Sequence, residues 1–172
     1  GNFNTALGLE SMNSNVAGNC GTALGYKAML YANNQATAFT NSNVAVGYEA
    51  LRGSVTPSAN TGNANTAVGY QSLLSNSSGS YNTGNGVLTL NANTTGHRNT
   101  GLGYGALRNN IDGAYNTAVG VDAMYYNQAS SYNAAFGFED LKNITTGGSN
   151  TSIGAQALRN NTSGAYNTGV GR

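Results

Sequence analysis

A five-residue segment of the form N-T-A-V-G recurs along the whole chain, and no other feature of the sequence narrows its fold so far. Copies begin at Asn4, Gly21, Asn43, Asn65, Asn82, Asn99, Asn116, Asn133, Asn150 and Asn167. Most starts lie 17 residues apart, while the units 21–42 and 43–64 each carry five extra residues. A unit this short cannot bury an apolar face alone, so successive units must stack on one another. The expected organisation is a single repeat array over 1–172, an excerpt of a longer fibre protein.

Composition agrees with a stack. Only 8% of the 172 residues are charged, against about 25% in an ordinary soluble domain. A net charge of +1 gives no electrostatic reason to expect nucleic acid or an anionic membrane as partner. Leu, Ile, Val and Phe together make up 29 of the 172 residues, and Gly, Asn, Thr, Ser and Ala take their place. Cys20 is the sole cysteine, which excludes an intrachain disulfide and leaves the compartment open. No apolar run of about 18 residues and no basic-then-apolar leader occurs, so neither membrane insertion nor a signal peptide is expected.

Each column of the repeat has a physical reading. Position 5 is glycine in every copy, including Gly69, Gly86, Gly103 and Gly120. That column explains the stretch "NTGLGYGALRNN" (99–110), in which Gly101, Gly103 and Ala106 imitate the G-x-G-x-x-A spacing of a dinucleotide loop. The fingerprint is a by-product of the period, and no cofactor is expected. Positions 1 to 6 read as a short strand with Thr, then Val, Leu or Ile, then Tyr at alternating positions, which places these three on one face. The other face carries Ala or Gly at position 3 and Gly at position 5. Such a bare face is expected to lie against another backbone, and it supplies the reason to place several chains around a shared axis.

Positions 6 to 10, as in "YEALR" (48–52) and "FEDLK" (138–142), read as one helical turn. Position 9 is Leu or Met throughout (Leu107, Leu141 and Leu158 among them) and is expected to point inward. Glu49 with Arg52, and Glu139 with Lys142, are spaced to pair on the outside of that turn. Positions 11 to 15, such as "NNTSG" (160–164), are turn chemistry, and both insertions fall in this segment. Position 1 forms an asparagine column (Asn65, Asn82, Asn99, Asn116) expected to become a ladder of side-chain amides. Position 17 repeats tyrosine at Tyr81, Tyr115, Tyr132 and Tyr166, with Phe3 in the equivalent place; the column reads as an aromatic stack along the axis, with sugar stacking as the alternative. The fold class that follows is all-β with short helical turns: a repeat β-solenoid of about ten 17-residue coils, expected to assemble as a parallel homotrimer, with a lone solenoid as the alternative.

Units such as "NTAVGYQSLLSNSSGSY" (65–81) and "NTSIGAQALRNNTSGAY" (150–166) resemble the repeats of bacterial and phage tail-fibre-like proteins, over essentially the whole chain. More distantly they resemble the stacked-coil heads of trimeric autotransporter adhesins. The resemblance implies an extended trimeric fibre, extracellular, on a cell surface or on a virion tail, that attaches to a cell surface or matrix. It carries over no catalytic residues. The implied partners are further copies of the chain, as a homotrimer or an end-to-end fibre, and a cell-surface glycan or receptor. The chain starts and stops within the unit without polar caps, so an excerpt, or ends covered by the next subunit, is expected.

Enzymatic chemistry is not expected. His97 is the only histidine, in a variable turn beside Arg98, and no second histidine or cysteine joins it or Cys20 in a metal set. Asp140 occupies the small position 8 beside Glu139, but neighbours on a turn point apart and make no catalytic pair. Two other functions compete with the fibre. An ice-binding solenoid would use the threonine column Thr5, Thr22, Thr66, Thr83, Thr100, Thr117, Thr151 and Thr168, although the face assignment above turns it inward. A glycan-binding tail protein would use the unmatched corner aromatics Tyr31, Phe39, Tyr125 and Tyr126.

Overall fold

The structure, a computed structural model, describes residues 1–32, 34 and 36–172. Every repeat contributes one three-residue strand from positions 2 to 4: β1 (Thr5–Leu7), β3 (Thr22–Leu24), β5 (Val44–Val46), β6 (Thr66–Val68), β7 (Thr83–Asn85), β8 (Thr100–Leu102), β9 (Thr117–Val119), β10 (Ala134–Phe136), β11 (Thr151–Ile153) and β12 (Thr168–Val170). These pair in parallel, each with the equivalent strand of the next repeat, so that Thr100 faces Thr117 and Leu102 faces Val119. Chain order and spatial order coincide, which makes the chain a parallel β-solenoid of about ten coils. A minor sheet of β2 (Gly18–Asn19) and β4 (Phe39–Thr40) ties the first two coils at a second wall.

The helical turn expected at positions 6 to 10 does not form. In each coil the backbone alternates the sign of φ instead: Glu139 has φ +50°, Leu141 has φ +49°, and Asp140 between them does not have a positive φ. Alternation aims successive N–H groups at opposite neighbours along the stack. Glu139 N–H donates to Val121 O of the preceding coil (2.9 Å), and Leu141 N–H donates to Ala157 O of the following one (3.0 Å). A helix would have consumed these groups within its own coil. The only helical element among the described residues is a short 3-10 turn, Pro57–Ala59, inside the second insertion. The first insertion includes residues 33 and 35, which lie outside the described residues.

The face assignment is also reversed. The small residues of position 3 point into the coil: Ala23, Ala45, Ala67, Ala118 and Ala135 are fully buried, as are Gly84 and Gly101 in the same column. They meet the position-9 side chains from the opposite wall, where Leu73, Leu90, Leu107, Met124 and Leu141 are fully buried and Leu158 is partly so. A coil this narrow has room for one large side chain across its width, so its partner must be small. The bare face is therefore the coil's own interior, not a surface shared between chains. Thr and Val at positions 2 and 4 point out.

The asparagine column is the polar half of the core. Asn65, Asn82, Asn99 and Asn116 are fully buried. Asn82 Oδ1 accepts from Asn99 N–H (3.0 Å) and from Asn99 Nδ2 (3.2 Å), and Asn99 Oδ1 does the same for Asn116. Each Nδ2 also reaches across its own coil, as Asn99 does to Gly113 O (2.8 Å). A second ladder runs at position 12, where the amides of Asn93, Asn110 and Asn127 each donate to the asparagine one coil earlier at 2.7, 2.6 and 3.0 Å. That column has the same 17-residue period, but asparagine is common in turns, so turn composition alone accounts for it in the sequence.

Candidate functional site

With position 3 inward, period-2 alternation forces positions 2 and 4 outward over all ten strands. Position 6 follows the glycine and joins them at the edge. The threonines of the column are exposed or half-buried in every coil, interrupted by Val44 and Ala134. Beside them Leu24, Leu102, Phe136 and Ile153 are between 41% and 47% exposed, and position 6 adds Tyr48, Tyr70, Tyr104 and Phe138 at 43% to 52%. Tyr26, Tyr48 and Tyr70 stack in sequence with centroids 5.2 and 5.1 Å apart. Ten rungs of about 4.8 Å make the face about 43 Å long, and three columns make it roughly 14 Å wide. That is on the order of 600 Å² of sheet face, of which the threonine column is one third and the other two columns are apolar or aromatic apart from Asn85 and Arg172.

Next to this face lies a charged rim. Arg52 pairs with Glu49 at 3.2 Å and Lys142 with Glu139 at 2.5 Å, the spacing expected, though on a tight turn of alternating hand rather than a helix. Lys142 also reaches Asp122 at 3.4 Å, and Gln156 and Arg159 engage the second oxygen of Glu139. The hydrogen bond from Lys142 holds the Glu139 carboxyl below its ordinary value and the ammonium above its own. The Lys142–Asp122, Gln156–Glu139 and Arg159–Glu139 contacts cross between coils and add register to the stack at modest energy.

Asp140 points the other way, into the core, and is fully buried. Its carboxylate accepts from Phe136 N–H (3.0 Å) and from Ser152 Oγ of the next coil. Ser152 stands where other coils have Ala or Gly, so the two exceptional residues of the small columns partner each other. Burial pushes the Asp140 carboxyl above its ordinary value, against the opposing pull of those hydrogen bonds. A raised folded-state pKa means stability that is present below the unfolded aspartate pKa and lost as pH rises through the folded one. Asp140→Asn keeps both partners without the charge. Relative to wild type, its urea midpoint should rise between pH 3 and pH 7; equal midpoint differences at both pH values would refute the assignment.

The four corner aromatics do not form one site. Tyr31 and Phe39 line a common cavity with Met29, Asn41 and Asn60, of about 20 Å³, room for a single water. Tyr125 and Tyr126 meet edge to face at 4.7 Å five coils further on, about 24 Å along the axis. Tyr125 is engaged already: its Oη accepts from Arg108 at 2.9 Å, and Lys142 lies 5.6 Å from its ring.

Position 17 makes a second repetitive surface. Its residues are left-handed in every coil, from φ 43° at Ser42 to 63° at Cys20 and Tyr132. This throws the side chain off the corner, and Tyr81, Tyr115, Tyr132 and Tyr166 are all exposed. Tyr115 and Tyr132 stack at 4.9 Å and 8°. Arg98 fills the rung between Tyr81 and Tyr115, with its guanidinium 5.3 Å from each ring. His97 packs edge-on against Tyr115 at 5.4 Å. Among the described residues no three His, Cys, Asp or Glu side chains are grouped as a metal set, and no helix is long and apolar enough to cross a membrane.

No family model matches the chain, and neither a curated protein nor a solved structure matches it.

Proposed function

We propose that the chain is a segment of an extracellular fibre, a tail fibre or surface adhesin, that assembles as a parallel homotrimer through its outward sheet face and serves attachment to a cell surface. One observation carries the reading: an outward face whose position-4 and position-6 columns are apolar or aromatic in all but Asn85 and Arg172 runs the length of the stack. Burying such a face between copies is favourable by roughly 25 cal/mol per Å², and a column that repeats once per rung is self-complementary when chains run parallel. The reading moves the shared axis from the Ala/Gly face to the Thr/Val/Tyr face. It assigns no catalytic residue.

Sedimentation equilibrium tests it. The expected mass is three chains, and Leu102→Glu with Tyr104→Glu should return it to one without changing the circular dichroism. A wild-type monomer overturns the trimer.

A second reading is favoured by the same face. Threonine occupies position 2 in eight of ten coils and points out, in register at one rung per residue. A regular, flat, outward threonine array is what an ice-binding solenoid requires. The two readings compete for one surface, because a trimer buries it. Thermal hysteresis by a monomeric chain would select ice binding, and none at millimolar concentration removes it.

A further inference from the structure

Between Tyr81 and Tyr166 the position-17 ladder has one empty rung. Tyr132 and Tyr166 lie in coils two apart, and the coil between them carries Ser149. The backbone there is unbroken. Ser149 N–H donates to Ser131 O (3.1 Å) just as Tyr132 N–H donates to Ala114 O (3.1 Å) and Tyr166 N–H to Gly148 O (3.0 Å). Its φ of 58° matches the 63° and 58° of the flanking tyrosines. Only the ring is missing. What remains is a cleft of about 300 Å³ lined by the two tyrosines, by Ser131, Thr146 and Ser149, and by Ala129 and Ala165.

The dimensions define the ligand. Two rungs span about 9.6 Å, so a ring placed midway would lie one ladder spacing from each face, and that spacing is 4.9 Å where Tyr115 meets Tyr132. The ladder already holds a foreign planar group in this way, since Arg98 sits between Tyr81 and Tyr115. Access is open: Tyr132 is 63% and Tyr166 85% exposed. The edges are hydroxyls, with Ser149 and Thr146 both exposed. No charged residue lines the cleft, so a free cation would leave water without a counter-charge, whereas a neutral ring would not.

We propose that Tyr132 and Tyr166 form a clamp that sandwiches a neutral pyranose ring, with its C–H faces on the two phenols and its hydroxyl edge toward Ser149 and Thr146. The clamp lies on the position-17 column, apart from positions 2, 4 and 6, and does not depend on the fibre reading or on the mass of the assembly. A sugar free in solution and a sugar within a polysaccharide present the same ring.

The full chain is titrated with the methyl glycosides of glucose, galactose, mannose and N-acetylglucosamine, and in a second arm with linear oligosaccharides of the same sugars. N-acetylarginine amide serves as the cationic control, and binding is read by saturation-transfer NMR. Saturable binding of at least one pyranoside or oligosaccharide is expected. Equal affinity in both arms places the ligand as a free or terminal sugar, and a preference for the oligosaccharide places it within a chain. Ser149→Tyr restores the tyrosine found at this position in neighbouring coils, at a φ those tyrosines already adopt. It should fold as wild type and weaken binding at least about tenfold, as should Tyr166→Ala, while Ser149→Ala keeps most of it. Absence of binding in both arms, binding unchanged in Ser149→Tyr, or preference for the arginine probe overturns the proposal.

Discussion

Gly120→Ala is expected to destabilise the chain by more than about 3 kcal/mol, read as a fall in the urea midpoint at unchanged slope. Two effects add. Gly120 has φ +133°, a conformation that an L side chain rarely adopts. A methyl group built there would also stand 2.2 Å from the carbonyl oxygen of Gly137 in the next coil, against backbone atoms with no flexible group to yield. The stack would have to open by a large part of an ångström at one rung, and the ladder bonds either side of it would lengthen. Gly105 supplies the control. Its φ is +64°, and the nearest atom to an added methyl is Asp122 Oδ1, the end of a mobile side chain. Gln71 and Gln156 occupy the same column at φ 52° and 61°, so Gly105→Gln should be tolerated within about 1 kcal/mol. Equal losses in the two variants would refute the close-approach argument and leave only a general dislike of side chains at glycine positions.

Asn99→Ala should lose roughly 3 kcal/mol. Asn99 Oδ1 is the acceptor for both Asn116 N–H and Asn116 Nδ2, and its own amide serves Gly113 O and Asn82 Oδ1. Gly113 O keeps a second donor in Asn110 (3.0 Å), and Asn116 Nδ2 keeps Ser130 O (2.8 Å). The buried Asn116 N–H keeps nothing. That orphaned donor, together with the cavity left by the amide, makes the loss larger than that of an ordinary hydrogen bond. Asn99→Asp sharpens the test. Aspartic acid matches the shape but, once ionised, cannot donate to Gly113 O, so the variant should be weaker at pH 7 than at pH 3. Native-state hydrogen exchange should show the effect concentrated in the coils next to residue 99, since each coil of a solenoid touches only its neighbours. A uniform change along the chain would contradict a nearest-neighbour stack.

Much of this architecture was readable from the columns. A glycine required at every turn of the period means that backbone meets backbone there, and the contact with the next coil's carbonyl is what the structure holds. An asparagine in the same phase of nearly every unit means a stack of amides, because a buried amide with two donors and an acceptor satisfies itself best against its own image one rung away. The pairing of Glu139 with Lys142 needed only a separation of three residues, which a tight turn of alternating hand brings together as well as a helix does. The nucleotide-like spacing around Gly103 dissolved for the same reason: a period explains every residue in it.

The misreadings were of two kinds. The turn at positions 6 to 10 looked helical because Glu, Ala, Leu and Arg favour helices. Local propensity of a few tenths of a kcal/mol per residue does not weigh against a ladder of inter-coil hydrogen bonds that needs N–H groups aimed alternately up and down. The left-handed residues that result, Glu139 and Leu141 among them, cannot be seen in a sequence without glycine at those positions. The second misreading concerned direction. Alternation says that Thr, Val and Tyr share a side and that Ala and Gly share the other, but it is symmetric between inside and outside.

By itself, then, the sequence determined the period, the number of coils, the parallel register and the chemistry of each column, because these follow from repetition and from what a buried amide or a side-chain-free position can do. The inside of the coil was decided only by tertiary closure. Leu107 and its equivalents reach across from the far wall, and a coil one side chain wide accepts them only opposite Ala or Gly. That single steric condition turned the threonine column and the position-4 and position-6 columns outward, while the left-handed backbone of the corner put Ser149 and its flanking tyrosines at the surface.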